Sequence, residues 1–365
     1  MHETLYKNIK LVCPSCRKMT SDGLVVSPLK LTDVIQKTGE YILYGFFKCE
    51  NPECNIQYPI IEGVPCIINP NEQYWWSELA SVLGTLDTPR QIKQYVLRIR
   101  TGGQSSSKSH TQDTNLPSYN DECLLGCFMD NNYGEFAPNY KPPYEWADYR
   151  PYWKTVIDAS IPKTEKEYGI TLELGCSVGR YTYEIARMSK LVVGLDLRFR
   201  WVLEAARIQR NGGVKYHRRL RGLKFEEVQT SFEPQDNALF LVGNALDPPF
   251  LKESFDLVAG LNLLDNIKLP RILLGQMNAL LRSGGILLLG SPYEWRLDIC
   301  EPTEWLETET MDASEIVRST LEGKVLPEYG FNYVVESEKD IIWPLRNHDR
   351  YWSIFRTNLI KAKKA

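Results

Sequence analysis

The 365-residue sequence lacks the hydrophobic segment that a membrane span needs, because no run of about eighteen apolar residues occurs in it. Its N-terminal segment, MHETLYKNIK, lacks the apolar centre of a secretory signal peptide. It also has no excess of basic residues, since 43 Lys and Arg stand against 46 Asp and Glu. These absences argue against a membrane-spanning protein, a secreted protein, and a protein that holds nucleic acid through its overall charge.

The nine cysteines are an odd number, which does not suggest a framework of disulfides. Four of them form two close pairs, Cys13 with Cys16 and Cys49 with Cys54, separated by segments that we interpret as strands. Two pairs of thiolates on two turns can together form a tetrahedral site for structural Zn²⁺. Four unrelated free thiols are the alternative. Without a secretory signal, this use of cysteine favours a reducing compartment, and we expect a cytoplasmic protein.

The stretch after the second cysteine pair contains Tyr-Pro-Ile at residues 58–60 and Gly-Val-Pro at residues 63–65, followed by an apolar strand. With the cysteine pairs, it resembles the small zinc-ribbon module related to the activator subunit of tRNA and protein methyltransferases. The resemblance implies a structural zinc ion, because a closed shell of four thiolates leaves no open coordination position. It also implies that this β module, residues 1–73, can contact a protein partner.

A predicted strand, a glycine turn and a helix occupy residues 171–186. The turn contains Gly175, Ser177 and Gly179, and glycine lets the backbone approach a ligand closely because it has no Cβ. The next strand ends at Asp196, about 20 residues beyond the glycines, where a carboxylate can accept both hydroxyl groups of a ribose. The pattern therefore indicates a nucleoside site, and an α/β fold without a nucleoside ligand is the alternative.

Apolar runs predict seven strands in this half of the chain, at residues 171–174, 191–195, 238–242, 255–260, 286–289, 331–335 and 351–358. Small or polar residues follow three of these strands, at Asn244 and Ala245, at Asn262, and at Tyr293. Ligands of open α/β sheets bind beyond the carboxyl ends of the strands. We therefore expect these residues to share one site with the glycine turn.

The pattern Glu-x-Gly-x-Ser-x-Gly at residues 173–179, together with Asp196 and the predicted strands, resembles the class I S-adenosylmethionine-dependent methyltransferases. The resemblance implies an α/β fold: a seven-stranded Rossmann-like sheet with helices on both faces. It also implies that Asn244 accepts a hydrogen bond from the adenine amine, and that the N–H group of Ala245 binds a ring nitrogen. The residues implied to bind the cofactor are Glu173, Gly175, Cys176, Ser177, Gly179, Asp196, Leu197, Asn244, Ala245 and Asn262.

Composition separates a helical and aromatic segment, residues 74–165, from the zinc ribbon before it and from the methyltransferase domain, residues 166–365, after it. Residues 101–120 are Gly, Ser and polar, and we interpret them as a flexible loop because they have almost nothing to bury. Residues 121–154 are rich in aromatic side chains. These side chains either form a lid that excludes water from the active site or pack the N-terminal helices onto the sheet.

Three segments, residues 174–180, 262–265 and 291–295 (Ser-Pro-Tyr-x-Trp), look like the C-terminal domain of ovothiol biosynthesis enzymes, which N-methylates the imidazole of a mercaptohistidine. The resemblance implies a small-molecule acceptor of histidine or imidazole type. Two features depart from that pattern. Asn244 stands where Asp is more usual. No sulfoxide synthase domain is fused to the chain, and a zinc ribbon is fused instead.

An imidazole nitrogen must be unprotonated to attack a sulfonium methyl group, and a nearby phenol or imidazole can take or hold the proton on its other nitrogen. Tyr293 and His348 are the catalytic candidates. The residues predicted to bind the substrate are Tyr133, Asn262, Trp343 and Arg346. Among these, Asn262 can orient the ring, and Arg346 can form a two-pronged ion pair with a substrate carboxylate.

Residues 214–230 form an insertion with basic side chains between Lys215 and Lys224, which we interpret as a basic helix. A basic helix can bind phosphate, so RNA base methylation with the zinc ribbon as a second RNA contact is the alternative function. The basic residues can equally form a solvated face paired with Glu226 and Glu227. A scaffold that recruits another methyltransferase is the third hypothesis, but it requires a broken cofactor site.

Overall fold

The computed structural model describes residues 1–20, 23–100, 119–137, 152–160 and 167–365. The strands of this part of the chain are β1 (Lys18–Thr20), β2 (Gly23–Val25), β3 (Leu29–Thr38), β4 (Tyr41–Cys49), β5 (Gln57–Ile61), β6 (Val64–Ile67), β7 (Tyr168–Leu174), β8 (Ser189–Asp196), β9 (Val214–Arg221), β10 (Lys224–Thr230), β11 (Ala238–Gly243), β12 (Phe255–Leu261), β13 (Leu281–Ser291), β14 (Tyr333–His348) and β15 (Tyr351–Lys364). The α-helices are α1 (Glu3–Tyr6), α2 (Gln73–Val82), α3 (Arg90–Arg100), α4 (Tyr119–Tyr133), α5 (Tyr152–Ser160), α6 (Arg180–Ala186), α7 (Phe199–Asn211), α8 (Pro270–Leu280) and α9 (Ala313–Leu321).

Seven strands form the central sheet in the order β14-β15-β13-β12-β7-β8-β11. The five strands from β13 to β11 pair in parallel, and β15 is antiparallel to both of its neighbours. Every residue of β11 is buried, as expected where helices cover both faces of parallel strands. The predicted seven-stranded Rossmann-like methyltransferase sheet is confirmed.

Four strands of the N-terminal part continue this sheet beyond β11. β6 pairs in parallel with β11, with Cys66 opposite Val242 and Ile67 opposite Gly243. β5, β4 and β3 follow in that order, so the sheet has eleven strands. The pairing covers the edge of β11, whose N–H and C=O groups would otherwise be open to other chains. The sequence did not indicate that the N-terminal module and the central sheet form one sheet.

The insertion at residues 214–230 is a β-hairpin, which corrects the prediction of a basic helix. β9 and β10 pair antiparallel, and the turn between them contains Gly222 with φ 48°. Val214, Tyr216 and Val228 are buried, whereas residues 215, 217, 227 and 229 beside them in the strands are exposed. This alternation has the period of a strand, because successive side chains of a strand point to opposite faces.

The last two strands are much longer than predicted and form a hairpin that extends past the central sheet. β13 ends at Ser291, opposite Asn358 of β15. Residues 351–357 of β15 therefore lie beyond the carboxyl end of β13, paired with residues 341–348 of β14. We call this protruding part, residues 341–357, the terminal hairpin.

The terminal hairpin changes the position of three predicted site residues. Trp343, Arg346 and His348 lie in β14. This corrects the sequence analysis, whose predicted strands at residues 331–335 and 351–358 left these three residues in a loop between them. The run from residue 333 to 348 has several charged residues and a proline, so it lacks the apolar continuity of the parallel strands. An antiparallel hairpin tolerates such residues because one of its faces meets solvent.

The predicted flexible loop falls largely on residues 101–118, and part of the predicted lid falls on residues 138–151. Both stretches lie outside the described residues. Within the part of the chain that the structure describes, no helix is both long and apolar enough to cross a membrane.

Aromatic side chains of the described part of the lid segment pack against the body of the protein. The ring of Phe128 lies 4.4 Å from that of Trp201, between centroids, and the ring of Trp153 lies 5.3 Å from that of Trp343. These contacts fit the packing alternative for the described aromatic residues.

Candidate functional site

Three residues at the carboxyl ends of central strands have left-handed backbones although they are not glycine. Ser177 follows β7 with φ 50°, Asn262 follows β12 with φ 50°, and Tyr293 follows β13 with φ 55°. A left-handed non-glycine residue costs about 1–3 kcal/mol, and such residues are concentrated at functional sites. Strain at three neighbouring strand ends therefore marks this edge of the sheet as the candidate site.

The glycine turn after β7 is tight and closely packed. The N–H groups of Gly175 and Cys176 both donate to the carbonyl of Leu195, at 2.8 and 3.1 Å. Gly179 has φ 86°, and a Cβ on it would lie 2.8 Å from Cβ of Ala205. Only glycine fits there, and it lets α6 begin at the next residue. The turn therefore presents its backbone directly at the edge of the sheet.

Asp196 at the end of β8 faces the glycine turn. Its Oδ2 accepts the N–H of Ser177 at 2.9 Å, and its Oδ1 accepts the N–H of Arg198 at 2.8 Å. Burial raises the pKa of Asp196, and these backbone donors oppose the shift. Each carboxylate oxygen keeps a further lone pair, so the group can still accept two hydroxyls.

Leu197, the next residue, is 45% exposed and offers an apolar surface beside the carboxylate. Its carbonyl accepts the indole N–H of Trp75 in α2 at 2.7 Å. A residue of the N-terminal part therefore fixes one side of the candidate nucleoside pocket. No sequence pattern indicates this contact, because the two residues are far apart in the chain.

Glu173 lies in β7 beneath the glycine turn and is almost fully buried. Its Oε2 accepts the hydroxyl of Thr182 in a short hydrogen bond. Burial raises the pKa of Glu173 to about 8, more than the bond from Thr182 lowers it. At neutral pH the carboxyl group is therefore largely protonated in the protein without cofactor.

The turn after β11 holds Asn244 and Ala245. The side-chain Oδ1 of Asn244 accepts the N–H of Leu246 at 2.9 Å, and its main-chain carbonyl accepts the N–H of Asp247 at 3.0 Å. These bonds fix the direction of the Asn244 amide. The Oδ1 atom keeps a second lone pair for a further donor.

The groups that follow β7, β8 and β11 form the cofactor half of the candidate site, and they fit S-adenosylmethionine. Gly175 and Gly179 leave room for a close backbone approach, and Asp196 and Asn244 keep free lone pairs of the kind that ribose hydroxyls and the adenine amine need. The hydroxyl of Ser177 is a buried polar atom with no hydrogen-bond partner in the described part of the chain. A buried orphan hydroxyl in the turn is expected where a polar ligand completes the bonding.

A second cluster of polar side chains lies beside the cofactor half, at the ends of β12 and β13. Oδ1 of Asn262 accepts the hydroxyl of Thr357 at 3.2 Å, and the phenol of Tyr293 donates to Oδ1 of Asn358 at 3.1 Å. Asp265 accepts the hydroxyl of Ser291 at 2.9 Å. Together these contacts place the strained Asn262 and Tyr293 against the base of the terminal hairpin.

Several carboxylates lie near Tyr293, and two of them are paired with cations, Glu338 with Arg318 at 3.0 Å and Asp340 with Arg356 at 2.6 Å. Burial raises the pKa of its phenol well above the usual value, and nearby carboxylates raise it further. The carboxylates responsible are Glu338, Asp265, Asp312 and Asp340. Tyr293 is therefore a neutral hydrogen-bonding group at physiological pH and cannot act as a phenolate base.

The structure separates the two predicted catalytic residues. His348 pairs with Tyr351 at the tip of the terminal hairpin, whereas Tyr293 contacts Asn358, the residue of β15 directly after the terminal hairpin. Seven residues of strand separate Tyr351 from Asn358, about 23 Å along the hairpin at about 3.3 Å per residue. His348 and Tyr293 thus lie at opposite ends of the protruding hairpin.

Two residues predicted to bind substrate are engaged elsewhere. Arg346 forms ion pairs with Asp130 at 3.1 Å and with Asp349 at 2.5 Å. The phenol of Tyr133 donates to the carbonyl of Val178 at 2.7 Å and is fully buried. Tyr133 thus supports the glycine turn from below, and Arg346 ties the terminal hairpin to α4.

Trp343 lies nearer the polar groups. It pairs with Phe355, and Ile341 pairs with Thr357, so these four residues share one face of the terminal hairpin. Thr357 on this face bonds to Asn262. The aromatic pair therefore continues the wall of the site outward from Asn262.

Thr357, Asn358 and Asp265 are site residues that the sequence analysis missed. Asp265 follows Asn262 within the same segment and could have been proposed from that position. Thr357 and Asn358 lie near the end of the chain and reach the site only through the pairing of β15 with β13. No local pattern predicts that register.

The four cysteines of the two N-terminal pairs come together. Their Sγ atoms all lie within 4.8 Å of one another, with 3.7 Å between Cys13 and Cys54 and 3.5 Å between Cys16 and Cys49. A tetrahedral Zn²⁺ with Zn–S bonds of about 2.3 Å places its sulfur ligands about 3.8 Å apart. The donor set therefore fits the metal that the spacing predicts.

The order of the sheet and the glycine turn after β7 are those of a Rossmann-like methyltransferase fold. Residues 172–289 match the family model described as a methyltransferase domain. The matched segment begins in β7, ends in β13, and contains the glycine turn, Asp196, Asn244 and Asn262. The chain is an S-adenosylmethionine-dependent methyltransferase, as its sequence predicts.

Solved structures similar to this chain come from several organisms. They include the YcgJ protein of Bacillus subtilis (13% identity, 58% of this chain and 97% of that chain, TM-score 0.37). A methyltransferase from Methanosarcina mazei (17%, 57% and 96%, 0.38) and one from Aquifex aeolicus (13%, 67% and 99%, 0.38), both S-adenosylmethionine-dependent, are also similar. No curated protein matches the chain.

Proposed function

We propose that this methyltransferase N-methylates a small molecule with a histidine- or imidazole-type acceptor. The observation that carries the proposal is the polar cluster of Asn262, Asp265 and Tyr293, beside the residues assigned to the cofactor. N-methylation of a neutral ring nitrogen transfers the positive charge of the sulfonium to the acceptor. Carboxylates near the acceptor stabilise charge that develops there.

The cofactor residues have separate tasks in this proposal. Asp196 accepts the ribose hydroxyls, Asn244 and Ala245 hold adenine, and Leu197 covers the face of the base. Glu173 and Ser177 bind the amino-acid part of the cofactor through the glycine turn. S-adenosylmethionine supplies an electrophilic methyl group. The chain therefore needs only to bind the cofactor and the acceptor, to orient them, and to exclude water.

The acceptor residues orient the nucleophile. Asn262 and Tyr293 hold it within about 3 Å of the methyl carbon, in line with the bond that breaks. Tyr293 keeps its own proton and holds the second ring nitrogen through a hydrogen bond, because its raised pKa prevents it from acting as a base. Trp343 closes the site on the side of the terminal hairpin.

The roles of His348 in catalysis and of Arg346 in substrate binding stay predictions from the sequence. A role for His348 requires the tip of the terminal hairpin to reach the acceptor, and a role for Arg346 requires its guanidinium to leave Asp130 and Asp349. Tyr133 supports the glycine turn instead of contacting substrate.

The N-terminal module holds structural Zn²⁺ through Cys13, Cys16, Cys49 and Cys54 in this proposal. The division of the chain at residues 73 and 165 also stays a prediction, as do the cytoplasmic location and a protein partner of the module.

RNA base methylation, the alternative function, has weaker support. Lys215 pairs with Glu227 at 2.9 Å, and Arg218 pairs with Asp130 and Glu226 at 2.8 and 3.2 Å. These pairs neutralise part of the basic hairpin that the RNA alternative needs for phosphate binding.

The test is a methyl-transfer assay with S-adenosylmethionine and a panel of histidine-type thiols and imidazoles, with mass detection of the methylated product. We expect Tyr293→Phe to lower kcat/KM for the acceptor by about 10-fold or more, a loss of about 1.4 kcal/mol, with cofactor affinity unchanged. Tyr74→Phe, at an 84% exposed position, is the matched control. Methylation of RNA alone, or equal activity of both variants, would contradict the proposal.

A further inference from the structure

The N-terminal module contacts the methyltransferase part along the loop that follows β11. This loop, residues 244–250, begins with the Asn244 and Ala245 pair assigned to adenine. The segment Leu11–Arg17 runs beside its second half. The N–H of Val12 donates to the carbonyl of Pro249 at 2.9 Å, and Leu11 forms an isolated antiparallel bridge with Phe250.

Arg17 makes the polar contact between the two parts. Its guanidinium pairs with Oδ1 of Asp247 at 2.5 Å and also donates, in a short hydrogen bond, to the carbonyl of Pro248. The Arg17 side chain is only 15% exposed. A partly buried, two-pronged arginine contact fixes the position and direction of its acceptors more strictly than a surface ion pair does.

Hydrogen bonds within the loop connect Asp247 to Asn244 and Ala245, the residues assigned to adenine. The N–H of Asp247 donates to the carbonyl of Asn244 at 3.0 Å, while Oδ1 of Asn244 accepts from Leu246 at 2.9 Å. A displaced Asp247 therefore breaks the turn that directs the Asn244 amide. The amide of Gln276 in α8 supports the same turn by donating to the carbonyl of Leu246 at 3.0 Å.

Arg17 is also tied to the cysteine cluster. It directly follows Cys16, which ends a short 3₁₀ turn at Pro14–Cys16. Cys13, which precedes the turn, donates its N–H to the carbonyl of Ser27 at 2.8 Å. The direction in which the chain leaves Cys16, and so the position of Arg17, depends on the geometry of the cluster.

We propose that Arg17 is a positioning residue that couples the metal-holding turn of the N-terminal module to the adenine side of the cofactor pocket. The inference rests on the proposed function, since it uses the assignments of the four cysteines to zinc and of Asn244 and Ala245 to adenine. Zinc in the module then sets cofactor affinity through Arg17 and Asp247, in addition to stabilising the module.

The test compares Arg17→Gln with Arg210→Gln in the full-length protein. Arg210 also joins the two parts, through an ion pair with Glu62 at 3.4 Å, and its side chain is 16% exposed, but it contacts no residue of the loop. We measure bound zinc, the dissociation constant of S-adenosylhomocysteine by calorimetry, and hydrogen exchange of residues 244–250 without ligand.

We expect Arg17→Gln to retain zinc, to weaken S-adenosylhomocysteine binding about 10-fold, and to speed exchange of the loop. Arg17→Lys keeps the charge but loses the two-pronged contact, so its affinity should lie between those of Arg17→Gln and the native protein. Arg210→Gln should bind within about twofold of the native protein and leave loop exchange unchanged. Removal of zinc by a chelator should weaken binding as Arg17→Gln does.

Unchanged affinity and unchanged loop exchange in Arg17→Gln, or equal losses in both glutamine variants, would overturn the proposal. Asn244→Ala separates this failure from a failure of the proposed function. If Asn244→Ala weakens binding and Arg17→Gln does not, the adenine assignment stands and the coupling is wrong. If Asn244→Ala binds as the native protein does, the adenine assignment is wrong and the coupling fails with it.

Discussion

Asp196, Asn262 and Tyr293 lie at the carboxyl edge of the sheet, where the proposed function places the cofactor and the acceptor. Asp196, Asn262 and Tyr293 could be predicted because each directly follows an apolar strand. Their partners Thr357 and Asn358 could not, because they reach the site through a pairing across much of the chain. The position of His348 at the tip of the terminal hairpin could not be predicted either, because the polar sequence of β14 does not reveal how long this strand is.

Asp196→Ala tests the ribose assignment. The variant loses both acceptor oxygens, so we expect S-adenosylmethionine affinity to fall by about 10-fold or more, about 1.4 kcal/mol. The exposed Asp236→Ala is the control, and circular dichroism checks that both variants are folded. Calorimetry that shows native affinity in Asp196→Ala would contradict the assignment.

Glu173→Gln tests the buried carboxyl group. Burial raises its pKa from 4.5 to about 8, so between these pH values the unfolded chain releases a proton that the folded chain retains. The free energy of unfolding therefore falls as pH rises through this window, by a few kcal/mol from this residue. Glutamine keeps an acceptor for Thr182 but cannot titrate.

Thermal unfolding at pH 5 and pH 8 without cofactor measures this effect. The melting temperature of the native protein should fall more between these two pH values than that of Glu173→Gln. Equal changes in the two proteins would show that Glu173 ionises normally in the fold.

At the scale of secondary structure, the sequence predicts the parallel strands well and the hairpins poorly. Parallel strands covered on both faces have continuous apolar runs, as in β11. The β9–β10 hairpin alternates buried with exposed residues only over parts of its strands, and the terminal hairpin does so only at residues 341–343. Charged residues in both hairpins hide the pattern. Val214, Tyr216 and Val228 at strand spacing around Gly222 were the signal that could have identified the first of these hairpins.

The glycine turn allows a test at this scale. Gly179→Ala forces a Cβ to within 2.8 Å of Ala205 and Phe240 at φ 86°, so we expect a loss of about 3 kcal/mol in the free energy of unfolding. Gly284 has φ 74°, and a Cβ added to it would meet no atom within 4 Å, so Gly284→Ala should cost only about 1 kcal/mol. Denaturant unfolding measures both, and equal losses would contradict the packing argument.

At the scale of the whole molecule, one sheet joins the N-terminal module, which holds the four cysteines, to the methyltransferase domain. The module was predicted from its cysteine spacing, but its pairing with β11 was not, because sheet partners between distant segments leave no local pattern. The consequence is that the four-cysteine cluster and the candidate cofactor pocket lie on neighbouring parts of one framework. Changes at the cysteines should therefore reach the whole fold.

The double variant Cys13→Ser with Cys49→Ser tests this dependence. It should lose zinc and lower the free energy of unfolding by about 3–5 kcal/mol, because the metal closes the module that covers β11. Cys123→Ser, outside the cluster, is the control and should keep zinc and stability. A double variant with native stability and no metal would refute a structural role for zinc.

The most direct measurement is calorimetric titration of the full-length protein with S-adenosylmethionine, followed by titration of that complex with histidine-type thiols and imidazoles. We predict saturable cofactor binding that Asp196→Ala weakens, and then a second binding heat from an imidazole. An absence of cofactor binding by the folded, zinc-containing protein would contradict the central claim, and cofactor binding without any imidazole response would contradict the proposed acceptor.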